Sequence, residues 1–129
     1  MLPFTLVLRA GAPVHEQVVY AVKKAIVSGR LQPGDEFPSV RTLSRELRIN
    51  PNTAHKVVAT LIGDSMLEVR PGIGTFVTAR PSGTADERRA LLREALERLV
   101  VEARHLSLDR DQVVKAVVEH WDRLGGKGR

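Results

Sequence analysis

The chain has 129 residues and a net charge of +5, with 43% hydrophobic and 27% charged residues, which is typical of one globular domain with a modest appendage. The absence of cysteine excludes disulfides, thiolate zinc sites and cysteine nucleophiles. The lack of a membrane-length apolar run or a signal-peptide pattern predicts a cytoplasmic protein with no membrane partner. Residues 1–80 hold 10 Lys/Arg and 6 Asp/Glu (net +4), whereas residues 81–129 hold 10 and 9 (net +1), so we expect a phosphate-binding surface in the first part.

The first predicted helix begins near Val14. It follows a short apolar segment of β-rich composition, residues 3–8, and a break at residues 10–13. Gly29 suits the left-handed position just past the end of this helix, and Pro33-Gly34 predicts a tight turn. Apolar residues at helical spacing form the predicted buried face: Val18, Val19, Val22, Ala25 and Ile26.

Two further helices are predicted on either side of a short polar break. Ser39 suits the N-cap of a short second helix, and Asn50 followed by Pro51 marks the start of a third helix that runs to about Ile62. Side chains of this kind accept hydrogen bonds from the free N–H groups of a first turn, and proline at the first helical position leaves no N–H unpaired. The pattern predicts a helix-turn-helix.

A β-hairpin is predicted directly after the third helix. Residues 67–70 alternate apolar and polar side chains, residues 71–74 are Pro-Gly-Ile-Gly, and residues 75–78 form a second short strand. A hairpin in this position is a wing. The sequence therefore predicts an α+β fold whose first part, residues 1–80, is a winged helix-turn-helix domain.

Residues 81–129 predict a short two-helix dimerisation segment with a disordered tail. After a linker over residues 79–83, a capping box at Thr84–Glu87 opens a long amphipathic helix; a second helix follows a break at residues 105–107 and ends before the glycine-rich residues 125–129. A helix pair of this length cannot close its own core, so its apolar faces should contact the first domain or a second copy of the chain. The residues predicted to make the dimer contact are Leu92, Leu96, Leu99, Val113, Val117 and Trp121.

Several ordered motifs resemble the GntR family of bacterial regulators. They are residues 38–43 (PSVRTL), 49–53 (INPNT) and 70–77 (RPGIGTFV). Residues 13–17 and 29–35 also resemble that family's first helix and following turn, so the resemblance extends nearly continuously from residue 13 to residue 77. The NPNT block and the short tail resemble the YtrA-like subfamily. The resemblance implies a homodimeric transcriptional repressor that binds a palindromic operator in double-stranded DNA and controls neighbouring transporter genes, with no cofactor and no enzymatic activity.

The residues predicted to contact DNA lie at the starts of the second and third helices and on the wing. Helix N-termini present free N–H groups and a positive dipole end to phosphates, and short polar side chains there suit phosphates or base edges. Arg41 suits a contact that spans a phosphate and a guanine, and wing glycines allow the backbone to approach the minor groove closely. The full predicted set is Ser39, Arg41, Asn50, Asn52, Thr53, His55, Lys56, Arg70, Gly72 and Gly74.

Three further expectations concern the remaining features. Arg45 and Arg48 are predicted to be solvated charges or contacts to the DNA backbone, and not base readers. His15, His105 and His120 lack metal-ligand spacing, which favours surface or packing roles and no metal. Ser65 stands where the family usually has glycine after the third helix, so we expect that helix to end differently here. The tail is expected to leave no drug-sized space of its own, so that an effector, if one exists, would lie at a head–tail or dimer junction.

Two other classes of function remain open from the residues. A winged helix is also used for protein–protein contact, but the polar first turn of the third helix beside a basic wing favours DNA. An enzyme, such as the aminotransferase-fused members of the wider family, would need a lysine-centred cofactor domain for which the chain has no room. The sequence does not identify the operator, the regulated genes or a small-molecule effector.

Overall fold

The computed structural model describes residues 2–79 and 83–125, which form two compact units divided near residue 82. Residues 80–82 of the expected linker and residues 126–129 of the expected disordered tail lie outside the described residues. The first unit contains α1 (Val14–Val27), β1 (Glu36–Phe37), α2 (Val40–Leu47), α3 (Pro51–Gly63), β2 (Leu67–Arg70) and β3 (Gly74–Val77). The second contains α4 (Ala85–Ala90), a π-helical segment (Leu91–Ala95), α5 (Leu96–His105) and α6 (Arg110–Leu124). The predicted winged helix-turn-helix and helical segment are confirmed.

The three helices of the first unit pack around one apolar core. Val22 of α1, Leu43 of α2 and Leu61 of α3 are each 0% exposed. Burial of a large aliphatic side chain contributes about 1.5–3 kcal/mol, so this shared core holds the three helices against one another. A hydrogen bond between His15 Nε2 and Thr60 Oγ1, 2.9 Å apart, also joins α1 to α3, which confirms a packing role for this histidine.

The predicted starts of α2 and α3 are confirmed by their caps. Ser39 Oγ accepts a hydrogen bond from the backbone N–H of Thr42 at 3.1 Å. Asn50 Oδ1 accepts one from the N–H of Asn52 at 2.8 Å, and Pro51 occupies the first helical position. Each cap satisfies an N–H that the helix leaves unpaired, which is worth about 1 kcal/mol. These caps define the first turns of both helices.

Helix α3 ends in the turn expected of a glycine-terminated helix although a serine stands there. Ser65 has a left-handed φ of 62°. Its N–H donates to the carbonyl of Ile62 at 3.0 Å, and the N–H of Met66 donates to the carbonyl of Leu61 at 2.9 Å, which is a Schellman motif. The expectation that this helix would end differently is therefore wrong, because two backbone hydrogen bonds and the burial of Leu67 offset the strain of a left-handed serine.

The sheet has three strands, in the order β1-β3-β2, rather than the two of the predicted hairpin. β1 pairs antiparallel with one edge of β3, where Phe37 lies opposite Thr75. β2 pairs antiparallel with the other edge, where Leu67 lies opposite Val77. Sequence analysis missed β1 because a strand of two residues is too short to show an alternating pattern.

The segment before α1 forms no strand but packs onto the first unit. Phe4 is buried, and its ring stacks on the ring of Phe37 with centroids 6.2 Å apart. The buried amide of Gln17 accepts a hydrogen bond from the N–H of Arg9 at 2.9 Å and donates to the carbonyls of Arg9 and Ala12 at 2.8 and 2.9 Å. One side chain thus satisfies three backbone groups of this segment.

The second unit consists of helices that begin at capping boxes. Thr84 and Glu87 form the predicted capping box at the start of α4, and Asp109 and Gln112 form another at the start of α6. Ser107, with a left-handed φ of 63°, lies in the predicted break. The long amphipathic helix and the second helix are therefore confirmed, apart from the π-helical segment between α4 and α5, which sequence analysis missed.

Replacement of Ser65 by glycine is expected to raise the free energy of unfolding by about 0.5–1 kcal/mol, because relief of about 1–2 kcal/mol of left-handed strain exceeds the extra entropy that glycine loses on folding. Urea unfolding at a fixed protein concentration measures the change. Ser28→Gly is the matched control, since Ser28 has a right-handed φ of −84° and glycine should only destabilise there. Equal effects of the two substitutions would contradict the explanation.

Candidate nucleic-acid interface

Helix α3 has one buried face and one exposed face. Ala54, Val57 and Leu61 are each 0% exposed, and the half-buried Thr53 lies at the boundary between the faces. The exposed residues on the opposite side, one helical turn apart, are Asn52, His55, Lys56 and Ala59. This arrangement suits a recognition helix in the major groove. Sequence analysis missed Ala59, although its seven-residue spacing from Asn52 is the signal that places it on the same face.

Helix α2 presents a line of arginines. Arg41 and Arg45 are exposed and four residues apart, hence on one side of the helix, and Arg48 follows at its end with a left-handed φ of 56°. Among the described residues none of the three forms an ion pair, so their charge is available to phosphates. Arg45 is exposed, in agreement with the predicted solvated charge, and it lies on the same side of α2 as Arg41.

The two predicted cap residues have a structural role in addition to the predicted DNA contact. The oxygens of Ser39 and Asn50 accept N–H groups of their own helices, although both side chains are exposed. The side chain of Asn52, one residue inside α3, caps no backbone N–H group in the described part of the chain. Contact of Ser39 and Asn50 with DNA stays a prediction.

The two predicted wing glycines differ in their surroundings. The wing tip is closed by a hydrogen bond from the N–H of Ile73 to the carbonyl of Arg70 at 2.9 Å, and Gly72 takes a φ of 77° there. A Cβ on Gly72 would meet nothing within 4 Å, so its approach to DNA is open. A Cβ on Gly74 would lie 3.1 Å from Glu36 Oε2. The lack of a side chain at Gly74 therefore also has a reason inside the sheet.

Arg70 is held by its neighbours on the wing. Its Nε and Nη2 atoms donate to Glu68 Oε2 at 3.3 and 3.2 Å, and its guanidinium carbon lies 4.1 Å from the centre of the Phe76 ring. Glu36 and Glu68 both lie opposite Phe76 in the sheet, one on each side. Sequence analysis considered only the cation, although strand periodicity already places Glu68 and Arg70 on one face.

The second unit leaves most of its apolar side chains exposed. Among residues 83–125 only Ala103 is buried, while twelve large apolar side chains are exposed. A groove between α5 and α6 is lined by three of the six predicted dimerisation residues, Leu96, Val113 and Val117. The other three do not line the groove; they are Leu92, Leu99 and Trp121, which are 69%, 46% and 64% exposed, respectively.

This groove contradicts the expectation that one tail has no drug-sized space. Its volume is about 690 Å³, compared with roughly 300 Å³ for a small ligand pocket. The walls are mainly valine and leucine, with Arg104 and Arg110 among the polar residues of the lining. Sequence analysis treated most of these apolar positions as claimed by packing, but the two helices bury almost none of them between themselves.

Neither a metal site nor a membrane span is found in the described parts of the chain. No group of three His, Asp or Glu side chains there is arranged to hold a metal ion. None of the helices in residues 2–79 and 83–125 is both long enough and apolar enough to cross a membrane.

Known proteins match both parts of the chain. The profile of "Bacterial regulatory proteins, gntR family" matches residues 14–77. The HTH-type transcriptional repressor YtrA of Bacillus subtilis is 29% identical over 121 residues, which cover 92% of this chain and 93% of YtrA. The crystal structure of a transcriptional antiterminator from Listeria monocytogenes EGD-e is 26% identical, with a TM-score of 0.82 over 98% of this chain and 96% of that chain.

A third similarity concerns the fold of the first unit alone. The DNA-binding domain of AraR, solved in complex with operator ORX1, is 22% identical, with a TM-score of 0.52 over 57% of this chain and 95% of that domain. The relatives are transcriptional regulators and not enzymes. Together with the winged helix, the family match identifies residues 14–77 as the helix-turn-helix domain of a GntR-family transcriptional regulator. The similarity to YtrA extends over both units: the first unit, called the reading head below, and the second unit, a short helical tail.

Proposed function

We propose that the chain is a cytoplasmic, homodimeric transcriptional repressor that binds a palindromic operator in double-stranded DNA. The exposed face of α3 carries this proposal. Three residues of one helix are 0% exposed on the core side, and polar side chains line the opposite side from a capped N-terminus. A helix held in this way presents its first two turns to the major groove.

Each element of the first unit has a separate task in this proposal. Asn52, His55 and Lys56 of α3 meet base edges and phosphates, where an asparagine amide suits adenine. Arg41 of α2 contacts the backbone and an adjacent guanine. The wing, with Gly72 at its tip, enters the neighbouring minor groove. The AraR domain, which has the same fold, was solved with operator DNA, and this supports the docking of such a head on a duplex.

The second unit supplies the dimer contact in this proposal. Twelve exposed large apolar side chains in one short helical unit are more than a stable monomer leaves in water. A second copy of the same unit is the simplest partner, since a two-fold dimer buries the same patch on both chains. A dimer carries two reading heads, so its operator should consist of two inverted half-sites.

Repression and the choice of target genes rest on the relatives. YtrA, which this chain matches over 92% of its length, is a transcriptional repressor. Occupation of an operator by a dimer would repress transcription by steric exclusion. Control of neighbouring transporter genes follows from the resemblance to YtrA-like regulators and belongs to the same proposal.

Selection of duplexes from a random pool by the full chain tests the proposal directly. We expect the recovered sequences to share an inverted repeat whose half-sites lie about 10–10.5 bp apart, or a multiple of that spacing, centre to centre. Recovery of duplexes without any common sequence would contradict the proposed function.

Arg41→Ala is expected to weaken binding to the recovered duplex by about 1–3 kcal/mol, because a bidentate arginine contact is lost while the exposed side chain contributes little to the fold. Titrations by gel shift measure the affinity. Lys23→Ala removes the same charge from the exposed side of α1 and is the control for a general electrostatic effect. An Arg41→Ala affinity equal to that of the control would exclude Arg41 from the interface.

Val117→Glu is expected to turn the dimer into a monomer at micromolar concentration, because it places a charge in the groove between α5 and α6. Val101→Glu is the matched control, since Val101 is 60% exposed and does not line that groove. Light scattering gives the mass, and circular dichroism verifies that both variants keep their helices. A dimer of unchanged stability in Val117→Glu would contradict the proposed interface.

A further inference from the structure

The wing carries an arginine whose position is set by two neighbours. Arg70 and Glu68 lie two residues apart on β2 and therefore on one face of the sheet, and Phe76 lies opposite Glu68 on β3. Glu68 Oε2 accepts from both Nε and Nη2 of Arg70 at 3.3 and 3.2 Å, and the guanidinium carbon lies 4.1 Å above the Phe76 ring. The residue directly opposite Arg70 is Gly74, which has no side chain.

Stability accounts for the contact of Arg70 with the Phe76 ring, which is a favourable cation–π interaction, but not for the carboxylate beside it. The side chains of Arg70 and Glu68 are each 44% exposed, and an ion pair so accessible to water contributes little to folding. A carboxylate on a surface that meets phosphates also lowers affinity for any duplex. The carboxylate therefore needs a reason other than stability or overall attraction to DNA.

The restrained position of Arg70 and the negative charge of Glu68 supply that reason. An arginine that is already fixed over a ring loses less side-chain freedom when it binds, and its planar fork keeps a defined direction. Of the five N–H groups of the guanidinium, Glu68 takes two, which leaves three for an acceptor on DNA. Because the carboxylate offsets part of the positive charge, the wing gains less from an arbitrary phosphate.

We infer that Glu68 is a specificity-determining positioning residue: it holds Arg70 against Phe76 for one DNA geometry and suppresses charge-driven binding of the wing to other sequences. This inference rests on the proposed function, since it assumes that the wing meets DNA. It concerns discrimination between sequences, whereas the proposed function concerns whether the chain selects a sequence at all.

The sheet contains a matched control for this role. Glu36 lies opposite Phe76 on the other side from Glu68, so both carboxylates flank the same ring. Glu36 is not within ion-pair distance of Arg70, whereas Glu68 is. Glu36→Gln and Glu68→Gln therefore make the same change in charge and volume on one face of one sheet, but only the second releases the arginine.

The experiment compares two duplexes: one recovered from a random pool by the wild-type chain, and a scrambled duplex of the same composition. Dissociation constants for both are measured with wild type, E68Q, E36Q, R70A and the E68Q/R70A double variant. We expect E68Q to bind the scrambled duplex more tightly and to lower the ratio of specific to scrambled affinity about three- to tenfold. E36Q should strengthen binding to both duplexes equally and leave the ratio unchanged, and E68Q should not alter the ratio when Arg70 is already absent.

Two results would overturn the inference alone. In the first, the wild-type chain prefers the recovered duplex, but E68Q and E36Q have the same ratio of specific to scrambled affinity. In the second, E68Q lowers that ratio by the same factor whether Arg70 is present or replaced by alanine. A wild-type chain that prefers no recovered duplex over its scrambled partner would instead overturn the proposed function, and the inference with it.

Discussion

Burial of one face of α3 is the constraint on which the remainder of the first unit depends. Ala54, Val57 and Leu61 leave no accessible surface, so the helix cannot rotate about its axis without exposing apolar area at about 25 cal/mol per Å². The opposite face must therefore point outward with Asn52 and Lys56 on it. The core that stabilises the reading head thus also fixes the direction of the polar side chains of α3. The same helix then continues through Ser65 into the wing.

The two units of the chain solve the problem of burial differently. The head closes a core around three helices and a three-stranded sheet, whereas the helical unit buries only Ala103 among its described residues. A short helix pair has too little volume for a core of its own, and twelve of its large apolar side chains are exposed. In the proposed dimer, association of two tails buries their apolar surface and at the same time brings two reading heads together. The affinity for DNA should therefore depend on protein concentration.

The cations of the head differ in how far their neighbours restrain them. Arg41 and Arg45 lie on α2 without an ion pair among the described residues, which leaves their charge available to phosphates. On the wing, by contrast, Arg70 is paired with Glu68 and lies over Phe76. A net charge of +5 for the chain thus conceals a free set of cations and a restrained one. The restrained guanidinium of Arg70 has a defined direction as well as a charge.

The sequence by itself determined the features whose partners lie within one helical turn or one strand alternation. The caps at Ser39 and Asn50, the buried faces of the helices and the wing hairpin were all predictable, because capping and periodicity are local. Only the tertiary structure decided the features that depend on distant partners. β1 exists because β3 offers an edge, and Arg70 is restrained because Phe76 from the next strand lies beneath it. Such contacts join residues on different strands, at separations that follow neither helical nor strand periodicity, so no local sequence pattern predicts them.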